Sequence, residues 1–119
     1  MRILVVNDIP YALGNTMKTL KDAGQKEIVI AYNASEALDR LFSVEGIELV
    51  ITTDFNMHGG MNGIELVKEI KRSGFKMPVW LLTSYSDVDE KLAQDFGIEK
   101  VFSQSKLEGL QNAVKTKDT

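Results

Sequence analysis

The chain is organised around IELVITTD, residues 47–54, an apolar run that ends in one carboxylate. Apolar and β-branched side chains fill most of its positions, a pattern typical of a strand that is buried on both faces. Beyond Asp54 the sequence changes to FNMHGGMNG, residues 55–63, whose asparagines and glycines are typical of a loop. Open parallel sheets bind their ligands outside the carboxyl ends of their strands. Asp54 is therefore a candidate functional residue.

Length and composition predict one ordinary globular domain that spans residues 1–119. Of the 119 residues, 44% are apolar and 26% are charged. The net charge of −3 gives no reason to expect nucleic acid or an anionic membrane as a direct partner. Cysteine is absent and His58 is the only histidine, which excludes disulfides, thiolate metal sites and histidine-rich metal clusters. The opening run MRILVV is too short for a signal peptide or a spanning helix, so a cytoplasmic protein is expected.

Strand and helix patterns alternate along the whole chain. Strands are predicted over residues 3–6, 27–31, 47–54, 78–82 and 100–103. Apolar residues at helical spacing follow each strand; in the second helix they are Ala37, Leu38, Leu41 and Phe42. The fourth helix is predicted over residues 87–96, and glycines close the first four helices. Five βα units in succession predict a doubly wound α/β domain, a mainly parallel five-stranded sheet with helices on both faces.

Polar residues end three of the predicted strands and form the candidate site. They are Asn7 and Asp8 on the first strand, Asp54 on the third, and Thr83 and Ser84 on the fourth. If the strand order is 2-1-3-4-5, Asp8 and Asp54 face one another across a crevice. Two close carboxylates repel, so either one is protonated or a cation lies between them, and oxygen ligands favour Mg²⁺. A carboxylate beside such an ion can attack phosphorus, and Thr83 can donate its hydroxyl to a phosphoryl oxygen.

These motifs resemble those of a known family, the CheY-like receiver domains of two-component response regulators. The segments that carry the resemblance are ILVVNDIP (3–10), DFNM (54–57), NGIEL (62–66) and PVWLLTS (78–84). The resemblance covers essentially the whole chain. The resemblance implies a flavodoxin-like (βα)5 fold with strand order 2-1-3-4-5. It also implies a phosphoacceptor signalling switch of a phosphorelay, which is no enzyme beyond its own phosphotransfer and dephosphorylation.

The resemblance also implies a role for each residue of the site. Asp54 would be the phosphoacceptor and a ligand of Mg²⁺, together with Asp8 and the backbone carbonyl of Asn56. Asn7 would be a weak metal ligand acting through water. Thr83, followed by the small Ser84, would bind the phosphoryl group and report its presence. The implied partners are a sensor histidine kinase or phosphotransfer protein, and a downstream protein target or output domain.

The chain departs from the family pattern on the metal side of the site. Asn7 replaces the first member of an acidic pair, so one negative charge is missing and weaker Mg²⁺ binding is expected. His58 stands where the family usually has proline, and the loop is one residue longer near Gly59 and Gly60.

Further departures lie on the side of the fifth strand. The family's Lys-Pro pair falls on Gln104 and Ser105, and Lys106 reaches the site only if the loop shifts. Val101 occupies the position of the family's aromatic switch residue, which leaves Phe102 as a displaced candidate. Tyr85 follows the fourth strand, where it lines either the crevice or a partner surface.

Simpler structural roles remain open for several of these residues. Asp8 is a possible N-cap of the first helix, Asn7 a plain turn residue, and Thr83 with Ser84 a cap of the fourth helix. Two other functions also remain open. One is a phosphorylation-independent interaction module with the receiver fold. The other is a flavodoxin-type nucleotide or flavin protein, which the carboxylate and Pro10 after the first strand disfavour because a phosphate loop needs free amides.

Overall fold

The structure is a computed structural model that describes residues 1–53, 61–84 and 90–118, apart from the side chains of Glu90 and Leu92. Five strands and five helices alternate through these residues. The strands are β1 (Arg2–Val6), β2 (Glu27–Ala31), β3 (Ile47–Thr53), β4 (Val79–Thr83) and β5 (Lys100–Ser103). The helices are α1 (Pro10–Asp22), α2 (Ala34–Ser43), α3 (Gly63–Arg72), α4 (Glu90–Asp95) and α5 (Glu108–Lys117).

All neighbouring strands pair in parallel, in the order β2-β1-β3-β4-β5. This order confirms the predicted doubly wound sheet. The register brings the carboxyl ends of the strands to one edge, because Val6 of β1 is level with Thr52 of β3, and Thr83 of β4 with Ser103 of β5. The described residues at the ends of β1, β3, β4 and β5 therefore share this edge.

Two apolar layers cover the sheet. On one face, α1 and α5 contribute Leu13, Leu20, Leu110 and Val114. On the other, α2, α3 and α4 contribute Ala34, Ala37, Leu41, Leu66, Val67, Ile70 and Ala93. β3 lies between both layers, and all its residues except Glu48 are buried. Burial on both faces was the prediction for this strand, and the structure confirms it.

Side chains cap the N-termini of α2, which follows β2, and of α3, which follows the loop after β3. The side chain of Asn33 accepts from the backbone N–H of Glu36 at 2.8 Å and begins α2. At the start of α3, Asn62 and Glu65 form a reciprocal capping box. Each bond satisfies a backbone donor that has no partner inside the helix. Asn33 is therefore the N-cap of α2.

The sequence predicted that Phe42 belongs to the buried stripe of α2, and the structure contradicts this prediction. Its side chain is 70% exposed, while Ala34, Ala37 and Leu41 form the buried face. Phe42 instead packs edge-on against Phe75, with the ring centroids 5.1 Å apart. The prediction failed because spacing along a helix does not show where the covering sheet ends.

The fourth helix agrees with its prediction where it can be compared. Residues 90–95 are helical, whereas residues 87–89 of the predicted helix lie outside the described residues. Gly97 follows this helix with a φ of 96°, a left-handed backbone conformation that glycine adopts at little cost. Across the described ranges, none of the helices is both long and apolar enough to span a membrane.

Candidate functional site

Several polar side chains of the described residues are buried at the carboxyl edge of the sheet. Asn7 follows β1, Thr53 ends β3 and Thr83 ends β4, and each is only 3% exposed. Polar groups are costly to bury unless they form hydrogen bonds, so a group of them at one edge marks a built polar site. The sequence predicted Asn7 and Thr83 at this edge, and the structure places both there.

Asn7 forms the turn that leads into α1. Its side-chain Oδ1 accepts from the backbone N–H of Ile9 at 3.0 Å, and its own backbone N–H donates to Ala31 at 3.1 Å. This local bond is the turn role that the sequence left open for Asn7. Its second role, as a water-mediated metal ligand, stays a prediction.

Asp8 comes next and brings a carboxylate to the same edge. It is partly exposed, and the N-cap of α1 is Ile9. The alternative in which Asp8 caps this helix is therefore wrong. Its role as a metal ligand stays a prediction.

β3 delivers its residues to the centre of this edge. The hydroxyl of Thr52, which is fully buried, donates to the carbonyl oxygen of Thr53 at 3.1 Å. Asp54 follows Thr53 directly in the sequence. Asp54 itself, and the predicted site residues Asn56 and Tyr85, lie outside the described residues. Sequence reasoning passed over the two threonines, although two adjacent hydroxyls in a buried strand were a signal.

The residue that follows β5 is hydrogen-bonded to the last residue of β4. The backbone N–H of Gln104 donates to the carbonyl oxygen of Thr83 at 2.7 Å. Ser84 is exposed, and Lys106 is exposed as well. The structure thus places Gln104 beside Thr83, whereas Lys106 lies further along the turn.

Phe102 lies on the face of the sheet opposite Thr83. Its ring packs against Trp80, at 5.3 Å between centroids, in the layer covered by α1 and α5. Leu81 belongs to the other layer, as does Val101, and Thr83 is two residues beyond Leu81 on the same face. This placement argues against Phe102 as a replacement for an aromatic switch residue at position 101, because one step along a strand changes the face.

The chemistry of the donors suits a hard cation. Asp8, the hydroxyls and the backbone carbonyls at this edge offer oxygen, which Mg²⁺ prefers. Within the described residues there is no group of three or more acidic, histidine or cysteine side chains that could hold a metal. Asp54, the other predicted metal ligand, lies outside these residues.

Comparison with known families agrees with this fold. A model of the response regulator receiver domain matches residues 3–114, so the chain belongs to this family of CheY-like two-component signalling domains. Receiver domains of response regulators generally use Mg²⁺ and interact with kinases and output domains.

Individual relatives are more distant. A chemotaxis protein CheY homolog of Campylobacter jejuni is 34% identical over 86 residues, a match that spans 71% of this chain and 65% of that protein. The response regulator MprA of Mycobacterium avium is 29% identical over 93 residues, or 78% of this chain and 39% of MprA. The match thus covers less than two thirds of each of these relatives.

A solved structure matches over nearly the whole chain. It is a response regulator receiver domain protein from Clostridium thermocellum, with a TM-score of 0.76 and 26% identity. The match covers 98% of this chain and 95% of that one. The sheet order and both helical layers are thus those of a receiver domain.

Proposed function

We propose that the chain is a phosphoacceptor switch of a two-component phosphorelay, which takes phosphate on Asp54 with Mg²⁺ and thereby changes its partner binding. The observation that carries the proposal is the group of Asn7, Asp8, Thr53 and Thr83 at one edge of the sheet. Three of these four side chains are buried as well as polar. Buried polar groups need hydrogen-bond partners, so their grouping at one edge supports a polar ligand there.

The proposed reaction is an in-line phosphoryl transfer. A carboxylate oxygen of Asp54 forms a bond to phosphorus, and the bond from phosphorus to the donor atom breaks, so that the donor leaves with the electron pair. Thr83 supplies a hydroxyl to a phosphoryl oxygen. Mg²⁺, when bound, neutralises negative charge on the phosphoryl oxygens.

The same proposal defines the cofactor, the partners and the location. Asp8 and Asp54 would hold Mg²⁺ with the backbone carbonyl of Asn56, and Asn7 would contribute weakly through water. A sensor histidine kinase or phosphotransfer protein would supply the phosphate in the cytoplasm, and a protein target or output domain would receive the signal. The chain would catalyse no reaction other than its own phosphotransfer and dephosphorylation.

The test is intact-mass measurement after incubation with Mg²⁺ and acetyl phosphate. The expected result is one added phosphoryl group on the parent chain and none on Asp54→Asn, because the amide is not a nucleophile toward phosphorus. Omitting Mg²⁺ should slow the labelling strongly. Equal labelling of parent and variant would place the phosphate elsewhere. No labelling of either, beside a control receiver that is labelled, would reject the proposed reaction.

A second candidate function is an interaction module that has kept the receiver fold without phosphorylation. The bond from Asn7 Oδ1 to the backbone of Ile9 favours it, because this side chain has a structural use and brings no charge to a metal. In this case a protein partner captured from cells that produce this chain would bind the parent and Asp54→Asn with equal affinity. Its affinity would also not respond to Mg²⁺ or acetyl phosphate. A change in affinity on phosphorylation would exclude this function.

A further inference from the structure

An exposed aromatic pair lies where α2 and α3 end. Phe42, near the end of α2, is 70% exposed, and its ring packs edge-on against the ring of Phe75, which follows α3. Phe75 is partly buried and packs against the apolar layer of α2, α3 and α4. The pair is thus supported from below, while the ring of Phe42 remains open to water. Aromatic side chains in such positions are enriched at protein–protein interfaces.

Cationic side chains lie next to this pair in the sequence. Residues 71–76 contain Lys71, Arg72 and Lys76 and no carboxylate, in a chain whose net charge is −3. All three side chains are exposed. Arg72 is ion-paired to Glu69 at 2.6 Å, whereas neither Lys71 nor Lys76 forms an ion pair with a carboxylate of the described residues. Two ammonium groups are therefore available to an anionic partner.

The two lysines also line an open groove at the amino edge of the sheet. The groove has a volume of about 390 Å³ and lies between the start of β4 and the end of α4. Lys71 and Lys76 line it from the side of α3, and Gln94, Gly97 and Glu99 line it from the side of α4. The Glu99 carboxylate accepts from the indole N–H of the tryptophan in β4 at 3.1 Å. One oxygen of this carboxylate is therefore already hydrogen-bonded, and the two ammonium groups give the groove a cationic side.

The aromatic pair and the groove form one surface, the amino-edge surface, which consists of the groove with Phe42, Phe75, Lys71 and Lys76. Lys76 joins the two parts, because it follows Phe75 directly in the chain and lines the groove. The five residues of β4 separate this surface from the carboxyl edge by about 15 Å. A partner bound here would therefore leave the edge of the proposed phosphorylation uncovered.

We propose that the amino-edge surface binds an acidic protein segment that carries an aromatic side chain. Carboxylates of this segment pair with the ammonium groups of Lys71 and Lys76, and its aromatic ring packs against the exposed ring of Phe42. The local charge is positive in a chain that is negative as a whole, so an acidic partner is steered to this surface. The interaction needs no phosphate on Asp54 and is independent of the proposed phosphorylation.

The probe is a short synthetic peptide with one tryptophan between glutamates, titrated into the isotope-labelled chain and followed by NMR. We expect saturable shifts of backbone amides within residues 42–44, 71–77 and 94–99. A peptide with serine in place of the tryptophan should bind about fivefold more weakly, because it lacks the aromatic contact. A peptide with lysines in place of the glutamates should not bind, because its charges repel Lys71 and Lys76.

Variants of the chain test both halves of the surface. Phe42→Ala should raise the dissociation constant of the acidic peptide about fivefold, and Lys71→Glu combined with Lys76→Glu should raise it about tenfold or more. The matched control combines Lys18→Glu with Lys21→Glu, two exposed lysines of α1 on the other face of the sheet. It makes the same change in net charge and should stay within about twofold of the parent. Circular dichroism checks that each variant is folded.

Several results would overturn the proposal. If the α1 control weakened binding as much as the charge reversal at Lys71 and Lys76, overall charge alone would explain the binding. The absence of saturable shifts up to about 1 mM peptide, or shifts confined to other residues, would also reject it. A short single-stranded DNA oligonucleotide that bound this surface more tightly than the peptide would make nucleic acid the partner and exclude the acidic protein segment.

Discussion

The side chain of Asn7 forms a hydrogen bond within the turn, but it lacks the negative charge of the acidic residue that the family has at this position. Its Oδ1 accepts from the backbone of Ile9, a bond that a carboxylate oxygen can form equally well. Asn7→Asp therefore keeps the turn and adds one negative charge next to Asp8. Because the number of charged ligands sets the affinity for a divalent cation, we expect the Mg²⁺ dissociation constant to fall about tenfold. Isothermal titration with MgCl₂ measures this change.

The matched control is Asn7→Ala, which removes the bond to Ile9 without adding charge. It should lower the free energy of unfolding by about 1 kcal/mol, because a buried turn loses one hydrogen bond. It should not strengthen Mg²⁺ binding. An Asn7→Asp variant with the same Mg²⁺ affinity as the parent would show that position 7 does not contribute to a metal site.

The start of α3 depends on a reciprocal cap. Asn62 accepts from the backbone N–H of Glu65 at 2.9 Å, and the Glu65 carboxylate accepts from the backbone N–H of Asn62 at 3.2 Å. Asn62→Ala leaves a backbone donor of the first turn without its partner, so the free energy of unfolding should fall by about 1 kcal/mol. Urea unfolding, monitored by circular dichroism, measures this change in the free energy of unfolding.

A conservative change at the same position separates the cap from other effects. Asn62→Ser keeps a side-chain oxygen at the N-cap and should retain most of the stability. Equal losses in Asn62→Ala and Asn62→Ser would mean that the amide has another role than capping. Asn33→Ala, at the start of α2, should show a loss similar to that of Asn62→Ala, because Asn33 caps α2 through the same kind of bond.

The two apolar layers share one sheet, so we expect the molecule to unfold as a single cooperative unit. Leu66 of α3 and Leu110 of α5 are both fully buried, on opposite faces. Replacing either with alanine should lower the free energy of unfolding by about 2–5 kcal/mol, since a buried leucine leaves a cavity. Because all layers contact the same strands, both variants should still unfold in one transition.

Trp80 provides a probe for this cooperativity. It is the only tryptophan of the chain and lies in the layer of α1 and α5. In both variants its fluorescence should change at the same urea concentration as the circular dichroism signal of the whole domain. A separate, later transition of Trp80 in Leu66→Ala would show that the two layers unfold independently.

Local patterns were sufficient for the elements and for much of the site. Strand and helix periodicity predicted the alternation, and the parallel arrangement followed because short connections leave few other topologies. The strand order came from the family resemblance and not from periodicity. The polar strand ends Asn7, Asp8 and Thr83 were found because a change from apolar to polar residues marks the end of a buried strand.

Packing between elements determined the burial and the contacts that sequence periodicity does not specify. The exposure of Phe42, the face occupied by Phe102 and the position of Gln104 beside Thr83 each depend on where another element lies. Sequence shows the spacing of residues along one element, whereas burial and hydrogen bonding at an edge arise between elements that are distant in the chain. For this reason residue types were enough to propose the chemistry of the site, while the position of Gln104 beside Thr83 required the three-dimensional arrangement of β4 and β5.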